Sequence, residues 1–152
     1  MSNDFDFLLG NWKVVNTRLK DWLCDSKIWI EFESEHTEKR LEDGNGNFAF
    51  HQYTRQGSII ERSVLRLYDE QSQYWKINRV DSWSDLLIPS LHGTFWQNKG
   101  SFLSKGIFHG IDVLVWVEWT KICKTYACWE QALSSDNGRT WETNWQMEFF
   151  RR

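Results

Sequence analysis

The strongest constraint on the fold lies in the last stretch of the chain, where side chains alternate strictly in character. Trp141, Thr143, Trp145, Met147, Phe149 and Arg151 fall on one face at period two, and Glu142, Asn144, Gln146 and Glu148 fall on the other. That pattern is a half-buried antiparallel strand. Asp136-Asn137-Gly138 precedes it and supplies a turn that tolerates positive φ. A strand of this kind needs neighbours on both sides, and the rest of the chain supplies them.

Short alternating runs recur throughout, separated by Gly, Asn and Asp turns. They are expected at about 11–18, 27–38, 47–55, 58–68, 74–82, 91–97, 101–108, 111–121, 124–133 and 140–150. Residues 2–9 read as one short helical turn that ends at Gly10. Residues 19–26 are a connection, and residues 83–90, with the single proline Pro89, are a loop. About ten short strands with almost no helix imply an all-β, closed antiparallel up-and-down barrel. Residues 1–152 form a single domain, with no repeat, linker or low-complexity segment.

The net charge of −3 argues against nucleic acid as a partner. No window resembles a transmembrane span, and the first residues do not resemble a signal peptide, so no membrane role and a cytoplasmic location are expected. Cys24, Cys123 and Cys128 have no metal-ligand spacing and read as reduced thiols, and no histidine pair has it either. Eleven Trp and ten Phe fill a core and can also line a small-molecule pocket.

Gly10-Asn11-Trp12 opens the first strand and Arg151 closes the last. The pair resembles the Gly-x-Trp and arginine of lipocalin and calycin barrels, in which the tryptophan closes the floor and the arginine packs across it. A guanidinium stacked on an indole makes physical sense of it. Longer matches resemble a bacterial calycin-like family of unknown function. They are Phe5-Asp-Phe-Leu-Leu-Gly-Asn-Trp12, Trp29-Ile-Glu-Phe32, Leu65-Arg-Leu-Tyr-Asp69, Trp75, Gly93-Thr-Phe95, Trp119 and the stretch Trp129–Phe149 with its Ser-x-Asp-x-Gly-x-Thr-Trp. The resemblance implies a barrel with an inner cavity, often dimeric, and no assigned reaction. It also leads one to expect an arginine near Trp116 and an aromatic near Arg79, which this chain lacks. Haem-binding calycins use Gly-x-Trp-x-Gly-x-Gly and a late histidine. Lys13-Val-Val-Asn16 follows Trp12 here, and the last histidine is His109, so no cofactor is expected.

In a barrel alternate residues point inward, and polar ones on an apolar inward face need a reason. Asn16 and Arg18 follow Trp12, Arg79 and Asp81 follow Trp75 and Ile77, and Arg66 lies between Val64 and Tyr68. Glu118 follows Leu114 and Trp116, and Trp145 faces in from the last strand. The candidate ligand-binding set is therefore Asn16, Arg18, Arg66, Trp75, Arg79, Asp81, Trp116, Glu118 and Trp145. The charge run 38–43 reads as solvated, and the second strand leaves the core near His36. Apolar residues on both faces of 58–68 and 111–121 suggest packing against a second copy or the N-terminal turn.

Three functions fit. The first is binding of a small, largely apolar molecule in an aromatic-lined cavity. The second is a cofactor-independent acid–base isomerase, cyclase or dehydratase using Asp81, Glu118 or His51 in that cavity. The third is a filled, purely structural barrel.

Overall fold

The first and last strands of the barrel meet. In the computed structural model, which describes residues 2–152, β1 (Gly10–Leu19) runs antiparallel to β11 (Glu142–Arg151), with Trp12 opposite Arg151 and Arg18 opposite Trp145. From β1 the sheet passes through β2 (Trp29–Arg40), β3 (Gly46–Arg55), β4 (Ser58–Asp69) and β5 (Tyr74–Asp81) to β7 (Leu91–Trp96). It continues through β8 (Lys99–Phe108), β9 (Ile111–Thr120) and β10 (Tyr126–Ser134) back to β11. Ten antiparallel strands thus close in sequence order, which removes the open edges a sheet would otherwise have to protect. A two-residue β6 (Leu86–Leu87) pairs with the far end of β8.

Closure is fixed where the chain ends. The Arg151 guanidinium lies 4.1 Å from the Trp12 ring centroid. It donates to the carbonyls of Phe7 (2.6 Å), Leu9 (2.6 Å) and Lys124 (2.5 Å). Gly10 has φ of +108°, and a Cβ there would stand 3.0 Å from Arg151 Nη1, so only glycine lets the arginine reach these carbonyls. Arg151→Met is expected to lower stability by about 1–3 kcal/mol, through lost charge-assisted hydrogen bonds and the indole stack. A urea midpoint equal to the wild type's would show that closure does not depend on it.

One 3-10 turn, Asp6–Leu8, plugs the floor, with Phe5 and Leu8 fully buried. Phe5 meets Trp75 edge-on at 4.9 Å, and Trp75 Nε1 donates to Asp4 Oδ2. The floor is aromatic, formed with Trp12, Trp119 and Phe102.

Two expectations about strand faces are corrected. On β9, Val113, Val115, Val117 and Trp119 are buried inside, so Trp116 and Glu118 face outward. Trp116 donates to Ser101 Oγ and packs on Trp141 at 5.4 Å, and Glu118 pairs with Lys99. The outer face of β9 is apolar because the β10–β11 loop folds over it, with Trp141 on Trp116 and Gly138 beside Leu114. This chain's own loop therefore covers it in part. On β2 the drift runs the other way. Ile28 and Ile30 at its start are exposed, whereas His36 and Glu38 are 3% and 2% exposed. Glu38 is not part of a solvated run.

Candidate functional site

The barrel interior has three storeys, set by which residues alternate inward. Above the aromatic floor lies a plug of polar side chains, and above the plug an open cavity.

The plug is a single hydrogen-bonded chain across β11, β1, β2, β3 and β4. Trp145 Nε1 donates to Asn16 Oδ1 at 2.9 Å, and Asn16 Nδ2 donates to Ser34 Oγ at 2.7 Å. Ser34 Oγ lies 2.8 Å from His51 Nε2, and His51 Nδ1 lies 3.2 Å from His36 Nδ1. His36 Nε2 lies 2.7 Å from Glu38 Oε2, and Arg66 Nη1 donates to Glu38 Oε1. All seven residues are 5% exposed or less. Burial outweighs the Glu38 bond and lowers the pKa of His36, while burial and then the neighbouring His36 hold His51 well below its ordinary value.

Neutral rings fix the tautomers. Against the Glu38 carboxylate, His36 must carry its proton on Nε2, so its Nδ1 accepts. His51 then donates from Nδ1 and accepts at Nε2 from the Ser34 hydroxyl. Every donor from Trp145 onward thus points toward Glu38, a head-to-tail order in which each bond polarises the next.

The cavity above has a volume of about 820 Å³. It exists because β5 pairs with β7 only over Trp75–Ile77. β7 begins at Leu91 opposite Ile77, so the rest of β5 has no β7 partner, and segment 82–90 crosses the gap, anchored by the Ser82 N–H on the Glu61 carbonyl and by β6 on β8. Trp22, Tyr53, Trp83 and Trp145 give the walls aromatic area. Four arginines also line it, Arg18 from β1, Arg55 from β3, Arg62 from β4 and Arg79 from β5.

The arginines are held in different ways. Arg62 is paired, with Nε 2.6 Å and Nη2 3.2 Å from the two Asp81 oxygens. Burial works against its charge, but Asp81 wins and its pKa is raised. Burial likewise opposes the Asp81 carboxylate, yet Arg62 draws its pKa below the usual range. Arg55 stacks on Trp83 at 4.2 Å and approaches Asp85 at 3.6 Å. Arg18 lies 4.4 Å from the Trp22 ring and 4.8 Å from Trp145, with its buried Nε unpartnered. Arg79 Nη2 donates to Gln131 Oε1 at 2.9 Å, and its Nη1 is buried without a partner. Burial and then Arg55 bring Arg18 to about 10, and burial and then Arg62 bring Arg79 to about 9.

Of the residues singled out from sequence, Arg18, Arg79, Asp81 and Trp145 line this one cavity. Asn16 sits beneath it on the Trp145 nitrogen, and His51 is in the plug. Arg66 and Trp75 face inward but lie deeper, Arg66 on Glu38 and Phe5 and Trp75 against the floor. Trp116 and Glu118 are on the outside. Sequence reasoning missed Arg62, although it falls between Ile60 and Val64 at the same period as Arg66. It also missed Trp22, Trp83 and Asp85, which sit in connections where no periodicity marks direction. Among the described residues no group of three or more His, Cys, Asp or Glu is placed to hold a metal ion, and no helix is long and apolar enough to cross a membrane.

No protein-family model matches the chain, and no curated protein matches it by sequence. Among solved structures, an S-type phycobiliprotein lyase from Guillardia theta is similar over 97% of this chain and 90% of its own, with a TM-score of 0.63 and 10% sequence identity. At that identity the likeness is one of fold, and it agrees with a lipocalin-like barrel.

Proposed function

We propose that this barrel binds a small, largely apolar molecule in the cavity above the polar plug. The observation that carries the reading is the cavity itself, about 820 Å³ with tryptophan and tyrosine walls and an opening to solvent. That size is within the range of small-molecule sites, and apolar walls with a few converging polar groups are their usual make-up. The similar fold of a phycobiliprotein lyase is compatible with it.

The acid–base reading has weaker support. It needs a titrating group at the cavity wall. Asp81 is held ionised by Arg62, His51 is closed inside the plug, and Glu118 is on the outer surface. A filled, purely structural barrel is disfavoured by the open volume.

Native mass spectrometry of protein purified from its own cells tests the reading. The expected result is a retained small molecule that is lost on denaturation. A bare chain mass, together with tryptophan emission that no apolar probe quenches, would count against a binding barrel.

A further inference from the structure

The walls of the cavity carry more cationic than anionic side chains. Arg18, Arg55, Arg62, Arg79 and Lys105 line it, against the carboxylates of Asp81, Asp85 and Asp112. The chain as a whole has a net charge of −3, so this excess is local. Two of the four arginines have no acidic partner. Among the described residues no carboxylate lies within ion-pair distance of Arg18 or Arg79, and each keeps a buried N–H without an acceptor. A half-buried charge without an acidic partner is costly, and a bound anion offsets that cost.

Resting on the reading of this cavity as a binding site, we infer that its ligand is an anion. The ligand has an apolar or aromatic body and a carboxylate, sulfonate or phosphate head group drawn in by the charges of Arg18 and Arg79 on the cavity wall. The division of labour follows from chemistry. A planar guanidinium with free N–H groups presents the fork that an oxyanion accepts. Trp22, Trp83 and Trp145 offer flat apolar area for the body. Arg62 is already satisfied by Asp81 and serves as the wall against which Trp145 is stacked, at 4.8 Å. Gln131, which holds Arg79 through its Oε1, is itself tied by Nε2 to Asn144 Oδ1 at 3.1 Å. The guanidinium is therefore pointed rather than free to swing away, which limits what binding has to order.

The test uses two dyes that share one skeleton. 1-Anilinonaphthalene-8-sulfonate carries a sulfonate, and N-phenyl-1-naphthylamine is the same molecule without it. Both are titrated into the wild type, Arg79→Gln and Arg18→Gln, read by dye emission, stoichiometry and tryptophan quenching. The sulfonate dye is expected to bind one per chain and about tenfold or more tighter than the neutral one, the range set by a charged hydrogen bond. Arg79→Gln is expected to remove most of that ratio while leaving the neutral dye within about twofold of wild type. The unliganded variant should melt at the wild-type temperature or above, because a half-buried cation with no acidic partner has gone. Arg18→Gln gives the same comparison in a variant that leaves the Gln131 contact untouched. Neutral dye binding as tightly as the sulfonate would overturn the anionic class and leave the apolar cavity standing. A ratio unchanged in both variants would overturn the roles of these arginines. If neither dye binds, the cavity reading fails and takes this inference with it.

Discussion

Glu38→Gln is expected to destabilise the protein by about 3–5 kcal/mol, the cost of leaving a buried ion without its partner. The substitution keeps the shape of the side chain, removes its charge and turns one of its two acceptor oxygens into a donor. Arg66 is 4% exposed and lies over the Phe5 ring, and Glu38 is the one carboxylate within ion-pair distance of it among the described residues. Without that charge the guanidinium is stranded between the aromatic floor and the plug. His36 loses the acceptor that fixes its tautomer, so the order of the chain up to Trp145 loosens as well. A domain of ordinary stability has only about 5–15 kcal/mol to lose, so the variant should unfold at much lower urea. The double variant Glu38→Gln with Arg66→Met should recover much of the loss, since a hydrophobic side chain of similar length needs no counter-charge. Equilibrium urea unfolding of wild type, both single variants and the double variant measures this coupling. A single variant within about 1 kcal/mol of wild type would show that the pair does not hold the plug.

The framework of the barrel was readable from the amino-acid order because turns and alternation are local. Asp136-Asn137-Gly138 makes the expected turn, with φ of +62° at Asn137 and +88° at Gly138. Trp12 with Arg151 was readable because both stand at strand ends on faces already oriented by their neighbours. The inward phase of β9 was not, for a physical reason. Both of its faces carry apolar residues, one against the interior and one partly under Trp141, and a period-two signal cannot choose between two apolar faces. Glu38 was hidden for a different reason. A buried glutamate looks like a solvated one until its partners are known, and Arg66 comes from a different strand. The cavity was half readable. Arg18, Arg79, Asp81 and Trp145 follow from strand alternation, whereas Trp22 and Trp83 come from connections that become walls only once the barrel has closed.

Acid should unfold this protein earlier than its carboxylates alone would require. His36 and His51 are both buried, both neutral and 3.2 Å apart at Nδ1. Each has a folded-state pKa below the ordinary histidine value of 6.5, His51 by the larger amount. The sign follows from proton binding. Below pH 6.5 the unfolded chain takes up a proton on each ring and the folded chain resists it, so stability falls as pH falls. Above 6.5 neither state gains a proton there, and the contribution is flat. The slope is up to about 1.4 kcal/mol per pH unit for each ring, and it ends only when the folded-state value is reached. Protonating both would set two cations beside Arg62 and Arg66 with Glu38 as their shared counter-charge, and burial would oppose each step. Asp81 acts in a separate and lower window, because its stabilising bond to Arg62 is lost only as pH falls through a pKa already below 3.8. Urea midpoints between pH 7.5 and about 4.5 should therefore decline from near 6.5, where exposed carboxylates are still ionised. His51→Gln should reduce that slope whatever it does to the midpoint at neutral pH, since the amide keeps a polar group beside Ser34 and cannot titrate. A wild-type profile flat down to pH 5 would mean that the two rings take up protons as readily inside the barrel as outside it, and the one-way order of the chain from Trp145 to Glu38 would go with them.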